Sequence, residues 1–241
     1  MMKNKAPSKS YCRYELIQNG TLPLRPGGGP KFFLEHRCSV VLVWPEGELP
    51  TSENTILTDP CFTAKGLKMA HKRLRQLNIS FSDLRRFFLT HNHADHWPRL
   101  YYNKENAALL RFEPETSVMP APVEIRPCPG HSPDLHCLVF WDADEGKEVW
   151  IAGDAVLDRE WLEAWMYYWP NNYTPSEIAQ TWRSVAYILS NADIVIPGHG
   201  DPIAITPELI EQLAASFPSA PYARQAAGVE QILRERLEKF K

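Results

Sequence analysis

The feature that most constrains the fold is a run of metal-ligand residues, THNHADH, at Thr90–His96. Desolvating three histidines and one aspartate together within six residues is too costly unless a cation binds them. In an extended segment His91 and His93 point the same way, so both side chains can hold one ion. A helical turn directly afterwards would direct Asp95 and His96 towards a neighbouring ion. The run therefore predicts half the ligands of two adjacent metal sites, although taken alone it also allows a solvated turn.

Three shorter motifs each add one ligand-type residue beside a glycine at the end of a predicted strand. They are Pro129-Gly130-His131, Gly153-Asp154 and Pro197-Gly198-His199. The glycine allows the backbone to bend sharply, and strand ends are where α/β folds collect their catalytic loops. Five of the eight histidines in the chain lie in these motifs and in Thr90–His96. We therefore predict a single site built from four distant segments.

Hydrophobic periodicity divides the chain into strands and helices. Short β-prone runs predict strands at Tyr11–Ile17, Lys31–Leu34, Ser39–Trp44, Asn54–Thr58, Phe87–Thr90, Val123–Arg126, Leu138–Trp141, Val149–Ala152 and Ile194–Pro197. Helices are predicted from the N-cap Thr63 to Leu77, from the capping box Thr174–Glu177 to about Ser190, from Thr206 onwards, and over Ala223–Lys239. Strands dominate the first half and alternate with helices in the second. This pattern predicts one α/β domain over residues 1–241, with sheets between outer helices.

Composition and charge exclude several classes of protein. The net charge of −3 provides no overall positive field for nucleic acid or an anionic membrane, and no apolar run is long enough to cross a bilayer. Met1–Tyr14 lacks the apolar core of a signal peptide. No C-x-x-C pair occurs among the five cysteines, which are Cys12, Cys38, Cys61, Cys128 and Cys137. We therefore expect free, buried thiols and a cytoplasmic protein.

Taken together, the four motifs resemble those of the metallo-β-lactamase superfamily. The series H-x-H-x-D-H, an isolated His, Gly-Asp and Pro-Gly-His-Gly matches in order and spacing from about Asp59 to His199. The resemblance implies an α/β fold of the metallo-β-lactamase type, a four-layer αββα sandwich with the metals at one sheet edge. It also implies that the first ion is held by His91, His93 and His131, the second by Asp95, His96 and His199, and both by a bridging Asp154. Asp59 would lie just outside the ligands.

The implied cofactors are two divalent metal ions, with zinc expected and iron or manganese as alternatives. Two cations about 3.5–4 Å apart that share a solvent molecule lower its pKa to about 7. The resulting hydroxide attacks a carbonyl or phosphoryl centre of the substrate. Asp95 is predicted as the catalytic residue that moves the proton, and Asp154 as the negative charge that holds both ions together.

The sequence departs from common superfamily motifs at two places beside the predicted ligands. Many members continue Pro-Gly-His-Thr-Pro-Gly-His, whereas this chain has Ser132–His136 after His131. Trp97-Pro98 stands where a glycine usually follows the Asp-His pair. These differences concern the substrate rather than the metals. The short chain resembles lactonase-like and glyoxalase-like hydrolases, and also the metallo-β-lactamase domain-containing protein 1 group, which is linked to RNA cleavage.

Three functional hypotheses remain open. Hydrolysis of a small-molecule ester, thioester or lactone is favoured by the negative net charge and by the aromatic segment Trp161–Tyr173. A phosphodiesterase or ribonuclease would need lysine and arginine residues leading to the metals. The cationic run Lys65–Arg86 is more typical of a solvated helix face. An iron-dependent oxidoreductase is the third hypothesis, because the ligand set also tolerates iron; no membrane partner is expected.

The aromatic segment itself has two interpretations. Trp161, Trp165 and Trp169 recur every four residues, which predicts one face of a helix packed in the core. The alternative is a wall of an apolar pocket above the metals, where a tyrosine could donate a hydrogen bond to a developing oxyanion. Trp97 is predicted at the rim of the site. Three histidines outside the motifs are predicted to be surface or core residues: His36, His71 and His136.

Overall fold

Two β-sheets organise residues 11–97 and 122–241, which are the residues that the computed structural model describes. The first sheet contains, in spatial order, β1 (Cys12–Gln18), β2 (Val40–Pro45), β3 (Ile56–Thr58) and β4 (Arg86–Phe88). The second contains β5 (Glu124–Pro127), β6 (His136–Trp141), β7 (Glu148–Gly153), β8 (Ile194–Pro197) and β9 (Ile203–Ala204). β3 pairs with β4 in parallel, as does β7 with β8, and the other neighbours are antiparallel. Parallel strands end at the same edge, so the segments that follow each parallel pair lie side by side.

The helices lie on the outer faces of the two sheets. Within the described residues they are α1 (Ala64–Gln76), α2 (Arg159–Glu163), α3 (Pro175–Asn191), α4 (Pro207–Ser216) and α5 (Val229–Glu238). Short 3-10 turns occur at Phe81–Asp83, Phe217–Ser219 and Ala223–Gln225. Across residues 11–97 and 122–241, no helix combines the length and the apolar character that a membrane span requires.

Three apolar clusters define the layers of the fold. Val41 of β2 packs with Phe140 of β6 between the two sheets. The next residue, Leu42, points to the opposite face, as strand geometry requires, and packs in the cluster that contains Leu74 of α1. A third cluster joins Trp150 of β7 to the apolar faces of α3, α4 and α5. The order helix, sheet, sheet, helix is the predicted αββα sandwich, which is confirmed.

Helices begin where the capping signals predict. Thr63 accepts a hydrogen bond from the backbone N–H of Gly66 at the start of α1. Thr174 and Glu177 form a reciprocal capping box at the start of α3. Thr206 accepts a hydrogen bond from the backbone N–H of Leu209 at the start of α4, without a reciprocal bond. These signals were readable in the sequence because each cap involves only four consecutive residues.

The predicted strand at Lys31–Leu34 is wrong. Lys31 Nζ lies 3.1 Å from Asp158 Oδ2 and 2.8 Å from Glu160 Oε2, so distant ion pairs hold this segment as a loop. A turn follows, in which Phe33 adopts a left-handed φ of 70° and is fully exposed. The β-prone composition of the segment is therefore overridden by its tertiary contacts.

The predicted tryptophan-lined helix is also wrong. α2 ends at Glu163, and Trp165 adopts a left-handed φ of 47° that breaks the helical path. Trp161 and Trp165 are buried, whereas Trp169 is 44% exposed. The three tryptophans therefore do not share one helix face, although they are spaced four residues apart.

Two further differences from the predicted elements concern short or broken segments. β9 was not predicted, because its two residues are too few to show an alternating pattern. The predicted helix over Ala223–Lys239 is interrupted: Gly228, with φ of 94°, separates the 3-10 turn from α5. The remaining strands and helices occur within a few residues of their predicted bounds.

The cysteines are buried free thiols, as expected. Burial raises the pKa of the Cys12 thiol to about 12, so this group is protonated at neutral pH. Burial also raises the pKa of Cys38 and Cys137 well above the usual value. The candidate metal-ligand groups of the described residues include no cysteine, and a raised pKa leaves little of the nucleophilic thiolate form.

Candidate metal centre

All seven predicted ligand residues meet at one end of the two sheets. The Thr90–His96 run follows β4, and His131, Asp154 and His199 follow β5, β7 and β8 respectively. Their donor atoms form two groups, and within each group all donors lie within 4.8 Å of one another. The first group consists of His91, His93, His131 and Asp154, and the second of Asp95, His96, Asp154 and His199. The structure thus brings together the two sets that the resemblance implied, with Asp154 shared.

The Asp154 carboxylate presents one oxygen to each group. Oδ2 lies 3.4 Å from His131 Nε2 and 3.9 Å from His91 Nε2. Oδ1 lies 3.1 Å from His96 Nε2 and 3.2 Å from His199 Nε2. This is the arrangement that a carboxylate bridging two cations would need.

His93 and Asp95 complete the two groups from the solvent side. His93 Nδ1 lies 3.0 Å from His131 Nε2. Asp95 Oδ2 lies 3.3 Å from His199 Nε2, and 21% of the Asp95 side chain is exposed. Asp95 can therefore face the second group and still reach solvent or a substrate.

Contacts on the outer nitrogen orient the two buried imidazoles of the first group. His91 Nδ1 lies 3.1 Å from Thr90 Oγ1. His131 Nδ1 lies 3.0 Å from the Tyr173 hydroxyl, which in turn accepts a hydrogen bond from Asn171 Nδ2. Partners of this kind fix the ring and tautomer of a metal-binding histidine. Nε2 of each ring is thereby directed towards Asp154.

The second group has an equivalent outer layer, drawn from other parts of the chain. His96 Nδ1 lies 3.1 Å from Asp59 Oδ2, and His199 Nδ1 lies 3.0 Å from the Arg37 carbonyl oxygen. Asp59 also accepts hydrogen bonds of 2.8 Å from the backbone N–H and the hydroxyl of Thr90. Asp59 therefore lies directly outside the ligands, where the resemblance placed it.

Several ligand atoms at the centre are buried and lie close to one another, yet none of them makes a hydrogen bond of good geometry. They are His91 Nε2, His96 Nε2, His199 Nε2 and Asp154 Oδ1. Leaving such atoms unsatisfied is costly. Imidazole nitrogens and carboxylate oxygens are preferred zinc ligands, and cations between them would satisfy all four atoms. The donor set therefore fits two divalent ions.

The electrostatics of the two groups differ in the absence of metal. Burial lowers the pKa of His91 well below its usual value and lowers that of His131 to about 4. Burial acts in the same direction on His199, but Asp154 and Asp95 outweigh it and raise its pKa to about 9. Burial would raise the pKa of Asp154, yet His199 and His96 hold it well below its usual value. At neutral pH, His91 and His131 are therefore neutral, whereas His199 carries a proton.

Metal binding by the second group is therefore expected to depend steeply on pH. His199 must lose its proton to become a ligand, and so must His96, whose pKa burial would lower but Asp154 and Asp59 raise well above its usual value. The apparent metal affinity of the second group should rise about tenfold per pH unit for each proton released, up to the His199 pKa of about 9. His131, with a pKa of about 4, needs no such release at neutral pH. Calorimetric metal titrations in buffers of different ionisation enthalpy would count the protons released at each step.

The same raised pKa predicts how the metal-free chain responds to pH. The His199 contribution to stability is fully present below its usual pKa of 6.5 and is lost as the pH rises through about 9. The melting temperature of the metal-free protein should therefore fall across this window. Proton release that is equal at both binding steps, or a melting temperature that is constant over this range, would contradict the assigned asymmetry.

A cleft of about 240 Å³ lies over the two groups. Besides the ligands His93, Asp95, His131, Asp154 and His199, it is lined by Leu22, His36, Ala94, Leu157, Tyr168 and Asn171. Within the described residues, its lining includes no lysine or arginine. The cleft thus combines metal-ligand residues with apolar and neutral hydrogen-bonding side chains.

His36, which is predicted to be a surface or core residue, instead lies in the lining of this cleft. Its Nε2 lies 3.0 Å from Asp95 Oδ2, and its ring centroid lies 4.9 Å from that of His199. No local signal in the sequence could identify His36, because the loop from β1 to β2 contains no ligand motif. His71 and His136 lie outside the centre, as predicted.

The aromatic segment divides between the core and the site. Trp161 and Trp165 are buried, whereas Tyr168 lines the cleft and Tyr173 contacts His131. Burial raises the pKa of Tyr168, so its hydroxyl remains a hydrogen-bond donor at neutral pH. Trp97, which was predicted at the rim, is half-buried and is not among the described residues that line this cleft. The following Pro98 lies outside the described residues.

Comparisons with known proteins give structural matches only. The sequence matches no protein-family model and has no significant match among curated proteins. A quorum-quenching N-acyl homoserine lactone lactonase is 18% identical, with a TM-score of 0.53 over 80% of this chain and 92% of that chain. A mutant of AiiA from B. thuringiensis, with N-decanoyl-L-homoserine bound at its active site, is also 18% identical, with a TM-score of 0.53 over 80% and 93%. A Thermotoga maritima protein assigned as a metallo-beta-lactamase is 15% identical, with a TM-score of 0.53 over 80% and 99%.

Proposed function

We propose that this chain, which has the metallo-β-lactamase fold, is a metal-dependent hydrolase with two divalent ions at the candidate centre. The observation that carries the proposal is the convergence of seven ligand-type side chains in two groups that share one buried carboxylate. The unpartnered donor atoms at the centre support the same assignment. Zinc is the proposed metal, because each group offers four imidazole and carboxylate ligands, and zinc prefers four ligands of these types.

The residues around the centre would divide the work of hydrolysis. The bound ions would supply Lewis acidity towards water and towards the oxygen of the substrate's reacting carbonyl. Asp154 would hold the two ions at a fixed separation. Asp95 is the proposed proton carrier because it faces the second group while 21% of its side chain is exposed to solvent. Burial would raise its pKa, but His199 and His36 lower it, so the carboxylate is ionised at neutral pH. Tyr168, which is protonated at neutral pH, could donate a hydrogen bond to a substrate oxygen in the cleft.

The cleft favours an ester, thioester or lactone of a small molecule as substrate. Leu22 and Leu157 provide apolar surface beside the centre, and Asn171 and Tyr168 provide neutral hydrogen-bonding groups. A phosphodiester would be expected to need cationic side chains, and the described part of the cleft lining contains none. The two similar structures whose descriptions name a homoserine lactone lactonase or a bound N-decanoyl-L-homoserine support the same substrate class.

A phosphodiesterase or ribonuclease remains the second candidate because of the charge of α1. This helix carries five exposed cations and no acidic residue: Lys65, Lys68, Lys72, Arg73 and Arg75. α1 packs on the outer face of the first sheet, and none of its residues lines the cleft. We therefore interpret these cations as a solvated helix face.

The proposed function predicts a distinct pattern in a substrate panel. The purified protein would first be assayed for metal content, then offered lactones, thioesters, esters and bis(p-nitrophenyl) phosphate. We expect turnover of a carbonyl substrate that is lost on chelation, regained with zinc, and abolished by His93→Ala. The melting temperature should be unchanged when the metal-free variant is compared with the metal-free wild type, because bound metal itself adds stability. Preferential phosphodiester cleavage would favour the second candidate, and iron with redox activity would favour an oxidoreductase. A wild-type protein that binds no metal would contradict the proposal.

A further inference from the structure

We propose that His36 is a positioning residue that orients Asp95 for the second metal ion. This inference rests on the proposed metal-dependent function. It concerns a residue that no metal-ligand motif includes and that lies 59 positions from Asp95 in the chain.

The contact between the two residues involves the oxygen of Asp95 that faces the second group. His36 Nε2 lies 3.0 Å from Asp95 Oδ2, and the same oxygen lies 3.3 Å from His199 Nε2 and 3.9 Å from His96 Nε2. A carboxylate oxygen has two lone pairs. Oδ2 can therefore accept the Nε2–H of His36 with one and face an ion with the other. Metal-binding carboxylates are commonly oriented by such hydrogen bonds.

The ring of His36 is itself held in place. Its centroid lies 4.9 Å from that of His199 and 6.1 Å from that of Tyr168, both at tilted angles. The adjacent Arg37 forms backbone hydrogen bonds in both directions with Thr21, of 3.1 Å and 2.8 Å. The hydrogen-bonded backbone and the neighbouring rings orient the imidazole towards Asp95, while 38% of the His36 side chain stays exposed to solvent.

Two consecutive residues of this loop therefore orient two different ligands of one ion. His36 contacts Asp95, and the Arg37 carbonyl oxygen accepts a hydrogen bond from His199 Nδ1. The outer contacts of the first group come instead from Thr90 and Tyr173. Loss of the His36 contact should consequently affect the second ion and leave the first unchanged.

The experiment uses two substitutions that separate the shape of His36 from its hydrogen bond. His36→Phe keeps a ring between His199 and Tyr168 but removes the donor, whereas His36→Gln keeps an amide N–H that can reach Asp95. His71→Phe, on α1 and outside the centre, is the matched control. The dissociation constants of both zinc ions would be measured by competition with a chromophoric chelator, so that the readout requires no substrate.

We expect His36→Phe to weaken binding of the second ion by about 10–100-fold, which is the usual effect of losing a contact that orients a ligand. Binding of the first ion, and the melting temperature of the metal-free protein, should be unchanged. His36→Gln should bind the second ion with an affinity within a few-fold of wild type. His71→Phe should bind both ions with wild-type affinity.

Three results would overturn the inference. Unchanged affinity for both ions in His36→Phe would show that the hydrogen bond from His36 to Asp95 does not contribute to metal binding. A raised KM with intact metal binding would make His36 a substrate contact instead. Equal weakening of both ions, together with a lower melting temperature, would indicate general structural damage. Failure of the wild-type chain to bind two ions would be seen separately, and it would contradict the proposed function itself.

Discussion

Asp154→Asn is expected to reduce turnover by more than about 100-fold. Loss of a contact that lies outside the ligands already costs up to about 100-fold, and Asp154 is itself a proposed ligand of both ions. Asparagine has nearly the same shape, so the change removes charge and one acceptor rather than volume. Oδ1 and Oδ2 of Asp154 each face one histidine pair, and the carboxylate is almost fully buried. A neutral amide would leave two cations without the shared negative charge between them. Unlike the loss of a ligand that serves one ion, such as His93, this substitution should weaken the binding of both ions.

The measurements for Asp154→Asn are metal content, the two zinc dissociation constants and turnover on the substrate found in the panel. Asp144→Asn is the matched control, because Asp144 is exposed and pairs with Arg13 far from the centre. We expect the control to equal wild type. If Asp154→Asn binds two ions with unchanged affinity, Asp154 does not bridge them, and the assignment of the centre is wrong.

Gly198→Ala is expected to disrupt metal binding to a similar extent, although Gly198 supplies no ligand atom. A Cβ at this position would overlap Asp154 Oδ1 and lie 3.1 Å from both Asp154 Cγ and the carbonyl carbon of Gly153. Since Asp154 is buried, its carboxylate has little room to move aside. The added methyl group should therefore displace the bridging carboxylate, with a stability cost of about 1–3 kcal/mol.

Gly27→Ala is the matched control for Gly198→Ala, because a Cβ at Gly27 would meet no atom within 4 Å. Zinc dissociation constants would report the site, and urea unfolding of the metal-free protein would report the fold. We expect more than about 100-fold weaker zinc binding in Gly198→Ala and no change in Gly27→Ala. Wild-type zinc binding in Gly198→Ala would show that the close approach of Gly198 to Asp154 is not required.

The capping boxes, most strands and the candidate ligands could be predicted from the sequence for the same physical reason. Each is encoded within a few consecutive residues, such as Thr174–Glu177 for the start of α3 or Thr90–His96 for half of the centre. The resemblance to a known superfamily then indicated which of the distant motifs would bind each of the two ions. Segments without such local signals depart from their predicted structure: β-prone composition predicts a strand at Lys31–Leu34, which is a loop, and the tryptophan spacing predicts a helix that in fact ends at Glu163.

The amino-acid sequence by itself thus determined which residues could bind metal and where the main elements begin, because donor chemistry and capping act over short distances along the chain. Only the tertiary structure decided which groups orient those donors. Apart from Asp59, which the resemblance already placed beside the ligands, these groups come from two loops: His36 and the Arg37 carbonyl oxygen from one, and Tyr173 from another. Their contacts depend on how strands and loops pack in three dimensions. A single sequence carries no local pattern for such contacts, since the hydrogen bonds join residues that are far apart in the chain.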